Sequence, residues 1–364
     1  MRTAHLAVEV SGFGRHPEAW RHAGVPREAL LTPAHHIALA QLAAQADADF
    51  VALADSFGPE HVLDAVAVAA RVAPAVPGIG LVPTVTTTHT EPFHISKAIA
   101  TLDLVSSGRA GWEPAVSRTS EEAAQFGRKP VAPPAELWRE AAEAIEVVVR
   151  LWDSWEDGAV IRDVATGRYI DRDKLHYIDF TGEFFSVKGP SITPRSPQAH
   201  PLVVVRHDAD PDDEGSLAVA AGWADVVRIS APDLSAAHAA RERIRAAVSA
   251  AGRDPDTVAV LLDVEILLGA DESAARRELD DLGELAPATL RVVGSAEEFV
   301  EVFAERAVDG ITAVPLALPS GLRVLADEVA PRLREKGLRS PARPGDTLRH
   351  TFGLPRPANH FSGV

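Results

Sequence analysis

The chain contains no cysteine in its 364 residues, which excludes disulfides, cysteine nucleophiles and thiolate metal sites together. It also lacks a basic excess. Lys and Arg number 36 against 52 Asp and Glu, giving a formal net charge of −16, so nucleic acid and anionic membrane would be repelled as partners. No run approaches the roughly 20 apolar residues of a membrane span. The start, Met1 to Glu9, lacks the apolar core of a signal peptide because Glu9 interrupts the run. No short internal repeat or low-complexity tract occurs, and Gly78-Ile-Gly80 lacks the rest of a dinucleotide fingerprint. A metal site is not expected: His35-His36 have no spaced acidic partners, and the run Asp208-x-Asp-x-Asp departs from a calcium loop at its sixth and twelfth positions, Asp213 and Val219. These absences leave a soluble, acidic, cytoplasmic globular protein as the expectation.

What is present is a hydrophobic fraction of 46% and a charged fraction of 24%, ample for a core and too balanced for disorder. Short β-branched runs alternate with longer Ala-rich helical ones, the sequence form of repeated βα units. Eight strand candidates stand out: 5–10, 50–54, 80–86, 110–116, 202–205, 225–229, 258–267 and 310–314. They suit an α/β (β/α)8 barrel over residues 1–338. Helices are expected near 33–47, 60–72, 91–106, 135–152, 216–221, 234–251, 271–282 and 322–336. An extra helix over 295–307 is marked by the capping box Ser295-Ala-Glu-Glu298. Residues 153–200 are too long for a βα loop and read as an insertion with a hairpin turning at Thr181-Gly182. The Pro- and Arg-rich tail, 339–364, is expected to lie extended over the barrel or a partner subunit.

One segment carries more information than the rest: Thr101-Leu-Asp-Leu-Val-Ser-Ser-Gly-Arg-Ala-Gly-Trp112. It resembles the Leu-Asp-x-x-Ser-x-Gly-Arg-x-Gly-Trp run of the bacterial luciferase-like flavin monooxygenases, in the branch that oxidises nitrilotriacetate and dibenzothiophene sulfone. The likeness extends through His16–Arg21, Ala48–Ser56, Val85–His94, Leu151–Asp157, Gly182–Pro190, Pro194–Gln198 and Thr347–Arg356, in order along the chain. Branch members carry more residues between strand seven and the last helices, so an active-site lid is expected to be trimmed here.

The resemblance implies a luciferase-like barrel in which reduced FMN, delivered by a separate flavin reductase, and O2 oxidise a small organic substrate. It also implies a homodimer or a luciferase-like heterodimer. Chemistry would gather where strands end. The cofactor-binding residues so implied are Asp55, Thr86, Thr87, Glu113, Trp138, Arg206 and His207, with His89 and His94 as candidate acid–base groups. For Asp55 a helix-capping role is the plain alternative. Arg109 is expected to brace its loop by ion pairing.

Departures from the family pattern concentrate at the flavin. Glu113 stands where an Asn follows Gly111-Trp112, and Pro134 and Trp138 stand where a His and a Tyr would serve. After the fifth strand the family runs Gln-Ala-Gly-x-Ser and docks the FMN phosphate on a helix N-terminus. This chain places five acids there, Asp208, Asp210, Asp212, Asp213 and Glu214, with only Arg206 and His207 against them. Three readings therefore stay open. One is a monooxygenase that holds FMN weakly. Another is a non-catalytic luciferase-like paralogue acting as a partner or regulatory subunit. The third is an enzyme with another redox cofactor such as a deazaflavin. The substrate is not legible.

Overall fold

The computed structural model describes residues 4–58, 63–208, 214–340 and 345–362. Thirteen strands appear among them: β1 His5–Val10, β2 Phe50–Leu53, β3 Gly80–Thr86, β4 Gly111–Ala115, β5 Val160–Asp163, β6 Arg168–Ile170, β7 Phe180–Thr181, β8 Ser186–Val187, β9 Leu202–Asp208, β10 Val226–Ser230, β11 Ala259–Leu268, β12 Arg291–Gly294 and β13 Gly310–Pro315. Eight of them, β1, β2, β3, β4, β9, β10, β11 and β13, pair in parallel and close on themselves. Strands buried on both faces need continuous apolar runs, which Leu202-Val-Val-Val205 and Val260-Leu-Leu262 supply. The closing seam needs a glycine. A Cβ at Gly310 would lie 2.3 Å from the His5 carbonyl oxygen, so β13 reaches β1 only without a side chain there.

The helices are α1 Pro33–Gln45, α2 Ala65–Val72, α3 Pro92–Val105, α4 Ser120–Phe126, α5 Pro134–Asp153, α6 Glu214–Trp223, α7 Leu234–Ala250, α8 Glu272–Leu282, α9 Ala296–Glu305, α10 Ser320–Val324, α11 Ala330–Glu335 and α12 Leu348–Thr351. Thr32 caps α1 ahead of Pro33, and Ser295 with Glu298 forms the expected capping box on α9. Apolar faces of the helices meet the outward faces of the strands in one large core. A second core inside the barrel base joins Phe50, Val82, Leu202, Val204, Val226 and Leu261 to Leu348 of the tail.

All eight barrel strands fall where the alternation placed them, but several details differ. β9 runs on to Asp208 rather than ending at Val205, because its pairing with β10 continues through Ser230. β12, absent from the expectation, pairs with the last four residues of β11, beyond the part held by β10. The insertion carries two hairpins, and the second turns over 182–185. The expected last helix is interrupted by a π-helical turn, Leu325–Val329, next to Pro331, which has no N–H to continue an α-helical ladder. Among the described residues Arg109 has no ion pair and braces its loop through backbone carbonyls instead. Its guanidinium donates to the carbonyls of Ser106, Val76, Ile79 and Ala73, tying its own loop to the 73–79 segment. Among the described residues no helix is long and apolar enough to cross a membrane.

The tail lies on its own barrel. Arg339 makes a two-pronged pair with Asp49 at 2.9 and 3.0 Å, and Arg349 donates to Asp225 at 3.1 Å.

Candidate active site

Inside the barrel, just above the apolar base, the strands carry a layer of charge. Strand register sets Thr84 beside Glu113, Arg206 beside Arg228, and Asp263 beside Thr312. Arg228 is almost wholly buried and spends its guanidinium on three carboxylates: Glu113 at 2.9 Å, Glu9 at 2.6 Å, and Asp263 at 2.8 and 3.0 Å. Arg206 donates to Glu9 and lies 3.4 Å from Asp263. Thr84 adds a long bond to Glu113 at 3.5 Å. Burial alone would raise the pKa of Glu9, but the Arg206 and Arg228 guanidiniums outweigh it and bring it down to about 2. Burial raises that of Asp263 despite the same two arginines. Burial likewise opposes the charge on Arg228, yet Asp263, Glu113 and Glu9 lift its pKa well above the ordinary value.

Asp49 shares the behaviour of Glu9. Arg339 and His5 overcome its burial and lower its pKa to about 2. An unfolded carboxyl titrates near pH 4, so Glu9 and Asp49 stabilise the fold fully above about pH 5. That contribution is lost as pH falls toward 2. Asp263 runs the other way, since a raised pKa makes the folded state gain on protonation. Thermal unfolding followed from pH 6 to pH 3 is expected to show a falling melting temperature, with a shallower fall in Asp49→Asn. An identical slope in that variant would defeat the assignment.

At the ends of β2 and β3 a cavity of about 370 Å³ opens beside this layer, between α2 and α3. Asp55, Thr84, Thr86 and His94 give it polar groups, and Val66, Ile95 and Ile99 give it apolar walls. Asp55 Oδ2 accepts the Ala65 N–H at 2.9 Å, so it also holds the start of α2, and burial raises its pKa. Thr86 faces the cavity, whereas the Thr87 hydroxyl is spent on the Ala115 carbonyl at 3.0 Å. His94 is exposed at the rim. His89 stacks on Phe126 with ring centroids 4.5 Å apart, and its Nε2 is buried without a partner among the described residues. Burial, then Lys129, lowers its pKa and favours the neutral imidazole. Among the described residues Ser117 Oγ and Trp138 Nε1 are likewise buried without partners.

The remaining residues singled out from sequence lie elsewhere. Trp138 packs its indole on the first turn of α6, where a Cβ at Gly215 would lie 2.7 Å from its ring. His207 turns away from the barrel interior to Ser216 Oγ at 2.7 Å. Arg206, 34% exposed, and buried Glu113 belong to the charged layer. Of the five-acid loop, Asp208 and Glu214 are described and exposed, and Asp210, Asp212 and Asp213 lie outside the described residues. The structure thus groups Asp55, Thr86 and His94 at one cavity and separates them from Trp138 and His207. Sequence reasoning missed Glu9, Arg228 and Asp263. Their signal was a charge at an inward position of a largely apolar strand, which on β11 is followed two residues on by a second, Glu265.

The family model described as luciferase-like monooxygenase matches residues 13–338. N-acetyl-S-(2-succino)cysteine monooxygenase of Bacillus subtilis is 29% identical, covering 98% of each chain. That alignment is 435 residues long against a chain of 364, so the relative carries segments this chain lacks. Component A of nitrilotriacetate monooxygenase from Aminobacter aminovorans is 27% identical over 95% of each chain. Dibenzothiophene-sulfone monooxygenase of Rhodococcus erythropolis is 35% identical over 61% of this chain and 48% of its own. Among solved structures, a long-chain alkane monooxygenase superposes with a TM-score of 0.89 at 23% identity, covering 97% of this chain and 96% of that one.

Proposed function

This chain belongs to the luciferase-like monooxygenase family, and from that membership and the strand-end cavity we propose a flavin-dependent monooxygenase. It takes reduced FMN from a separate reductase, as a weakly held cosubstrate, and with O2 oxidises a small organic molecule. The observation that carries this reading is the cavity at β2 and β3, where Asp55, Thr84 and Thr86 converge. Among the described residues His89, in the loop that follows β3, holds a buried Nε2 without a partner. Such groups suit a planar ring with a polar edge, since a buried donor or acceptor left unpaired costs about 1–3 kcal/mol. The bound flavin would supply the oxygen chemistry, and the chain's share is to orient the ring and keep water out. Asp55 would accept from the ring edge with the oxygen not given to Ala65. Thr86 would donate its hydroxyl. Neutral His89 would hold or pass a proton at Nε2, and exposed His94 would meet the substrate side.

The test couples the protein to a flavin reductase and follows oxygen-dependent product formation on thioethers, sulfones and aminopolycarboxylates. Asp55→Ala is expected to weaken flavin binding by about tenfold, the scale of one hydrogen bond to a charged group. Asp55→Asn keeps an acceptor for the Ala65 N–H and separates that role from helix capping. Absence of binding of either oxidised or reduced FMN at hundreds of micromolar would refute the reading.

The second reading, a non-catalytic member that pairs with a luciferase-like subunit, is favoured by one observation: Trp138 sits where a phosphate-binding helix start would be open. Co-purification with a second such chain supports it, and flavin-dependent turnover by the isolated protein rules it out.

A further inference from the structure

At the opposite, N-terminal end of the barrel a cavity of about 210 Å³ lies between the starts of β1, β10, β11 and β13, helix α7 and the tail. Three guanidiniums face it, from Arg241, Arg245 and Arg306, together with three carboxylates. Each carboxylate has an arginine of its own. Asp309 takes Arg241 at 2.8 Å and the Val260 N–H at 2.9 Å. Asp256 takes Arg245 at 2.6 Å. Asp225 takes Arg349, which lies outside the lining, at 3.1 Å and the Val203 N–H at 3.0 Å.

Arg306 is left over. Among the described residues it has no carboxylate at ion-pair distance. Its hydrogen bond goes to the Phe303 carbonyl at 2.6 Å, and its Nε is buried with no acceptor. Its guanidinium lies 4.9 Å from the Phe303 ring centroid, and burial lowers its pKa. A half-buried cation with an unpaired donor, beside two carboxylate-paired guanidiniums on the same cavity, offers an anion a local site against the repulsion of a chain of net charge −16. A tetrahedral dianion matches several planar donor forks at once. The opposite wall is apolar. Phe352 stacks on His5 at 4.1 Å, and Leu354 and Val308 complete it, leaving room for a small organic group.

We propose that this cavity binds a phosphate group, free or as a small monoester, seated on Arg306 with Arg241 and Arg245. The site lies at the end of the barrel opposite the Asp55 cavity and does not depend on the flavin reading. Because Phe352 and Leu354 belong to the tail, the ligand would tie tail to barrel and raise the melting temperature by mass action.

The full-length protein is titrated with inorganic phosphate and with glycerol phosphate, ionic strength held constant with sodium chloride, by scanning fluorimetry and isothermal calorimetry. The expected result is saturable binding and a melting temperature raised by about 2 °C or more at saturation. Arg306→Gln should bind at least tenfold more weakly, and Arg245→Gln provides a second variant in case the first folds poorly. Stronger binding of glycerol phosphate identifies a monoester as the ligand, and equal binding identifies free phosphate. No heat and no shift beyond the chloride control overturns the proposal, as does undiminished binding in both variants.

Discussion

Arg228→Met is expected to destabilise the protein by about 3–5 kcal/mol, the scale on which breaking a buried ion network leaves its partners uncompensated. Methionine has the length to fill the space, so lost packing is a small part of the effect. What remains is Glu9, Glu113 and Asp263 inside the barrel with Arg206 beside them and Arg15 acting on Glu9. Three carboxylates cannot all stay ionised there, and each proton taken up to relieve the repulsion costs stability at neutral pH. Adding Asp263→Asn to Arg228→Met removes one of the stranded charges and is expected to restore part of the loss. A urea melt of the two single variants and the double variant at pH 7 measures this coupling. Arg228→Met as stable as the native protein would mean that the layer is not an ion network at all.

Riboflavin is expected to bind about as tightly as FMN, within about threefold or roughly 0.7 kcal/mol. A phosphate anchored on a helix start gains from free N–H groups and a positive field. Here the Trp138 indole covers the first turn of α6, and exposed Asp208 and Glu214 flank the approach. Arg206, the nearby cation named from sequence, is turned inward to Glu9. Like charges within a Debye length of about 8–10 Å repel, so added salt should if anything strengthen FMN binding slightly. Fluorescence titration of both flavins at two ionic strengths decides the matter. FMN binding a hundredfold tighter than riboflavin would show that a phosphate anchor exists.

The barrel was legible because two periodicities repeat eight times along the chain, and because apolar runs such as Leu202–Val205 have only one buried use in a parallel sheet. Caps at Thr32 and Ser295 were legible because side-chain chemistry at a helix start is local. The site was legible only in part. Asp55 and Thr86 could be placed because a strand end is a position in the sequence pattern. The partners of Glu113 and Arg206 could not, since they come from β1, β10 and β11, and no local signal says which strands face one another across a barrel. Trp138 shows the same limit: its position on α5 was plain, but its contact with Gly215, 77 positions along the chain, depends on how α5 and α6 pack. The short β12 and the first hairpin of the insertion, β5 with β6, were hidden because strands of three to four residues carry too little pattern.

Leu348 has a consequence for how the molecule is made. Its side chain fills the base of the barrel against Phe50 and Val82, and a Cβ at Gly80 would lie 2.6 Å from it. β1 finds its second neighbour only in β13, some 300 residues later. On the ribosome, then, the early strands emerge with an open edge and an uncovered base. The edge waits for residues 310–315 and the base for residue 348. Until then the apolar strand edge and base stay open to other chains, the surface on which aggregation starts.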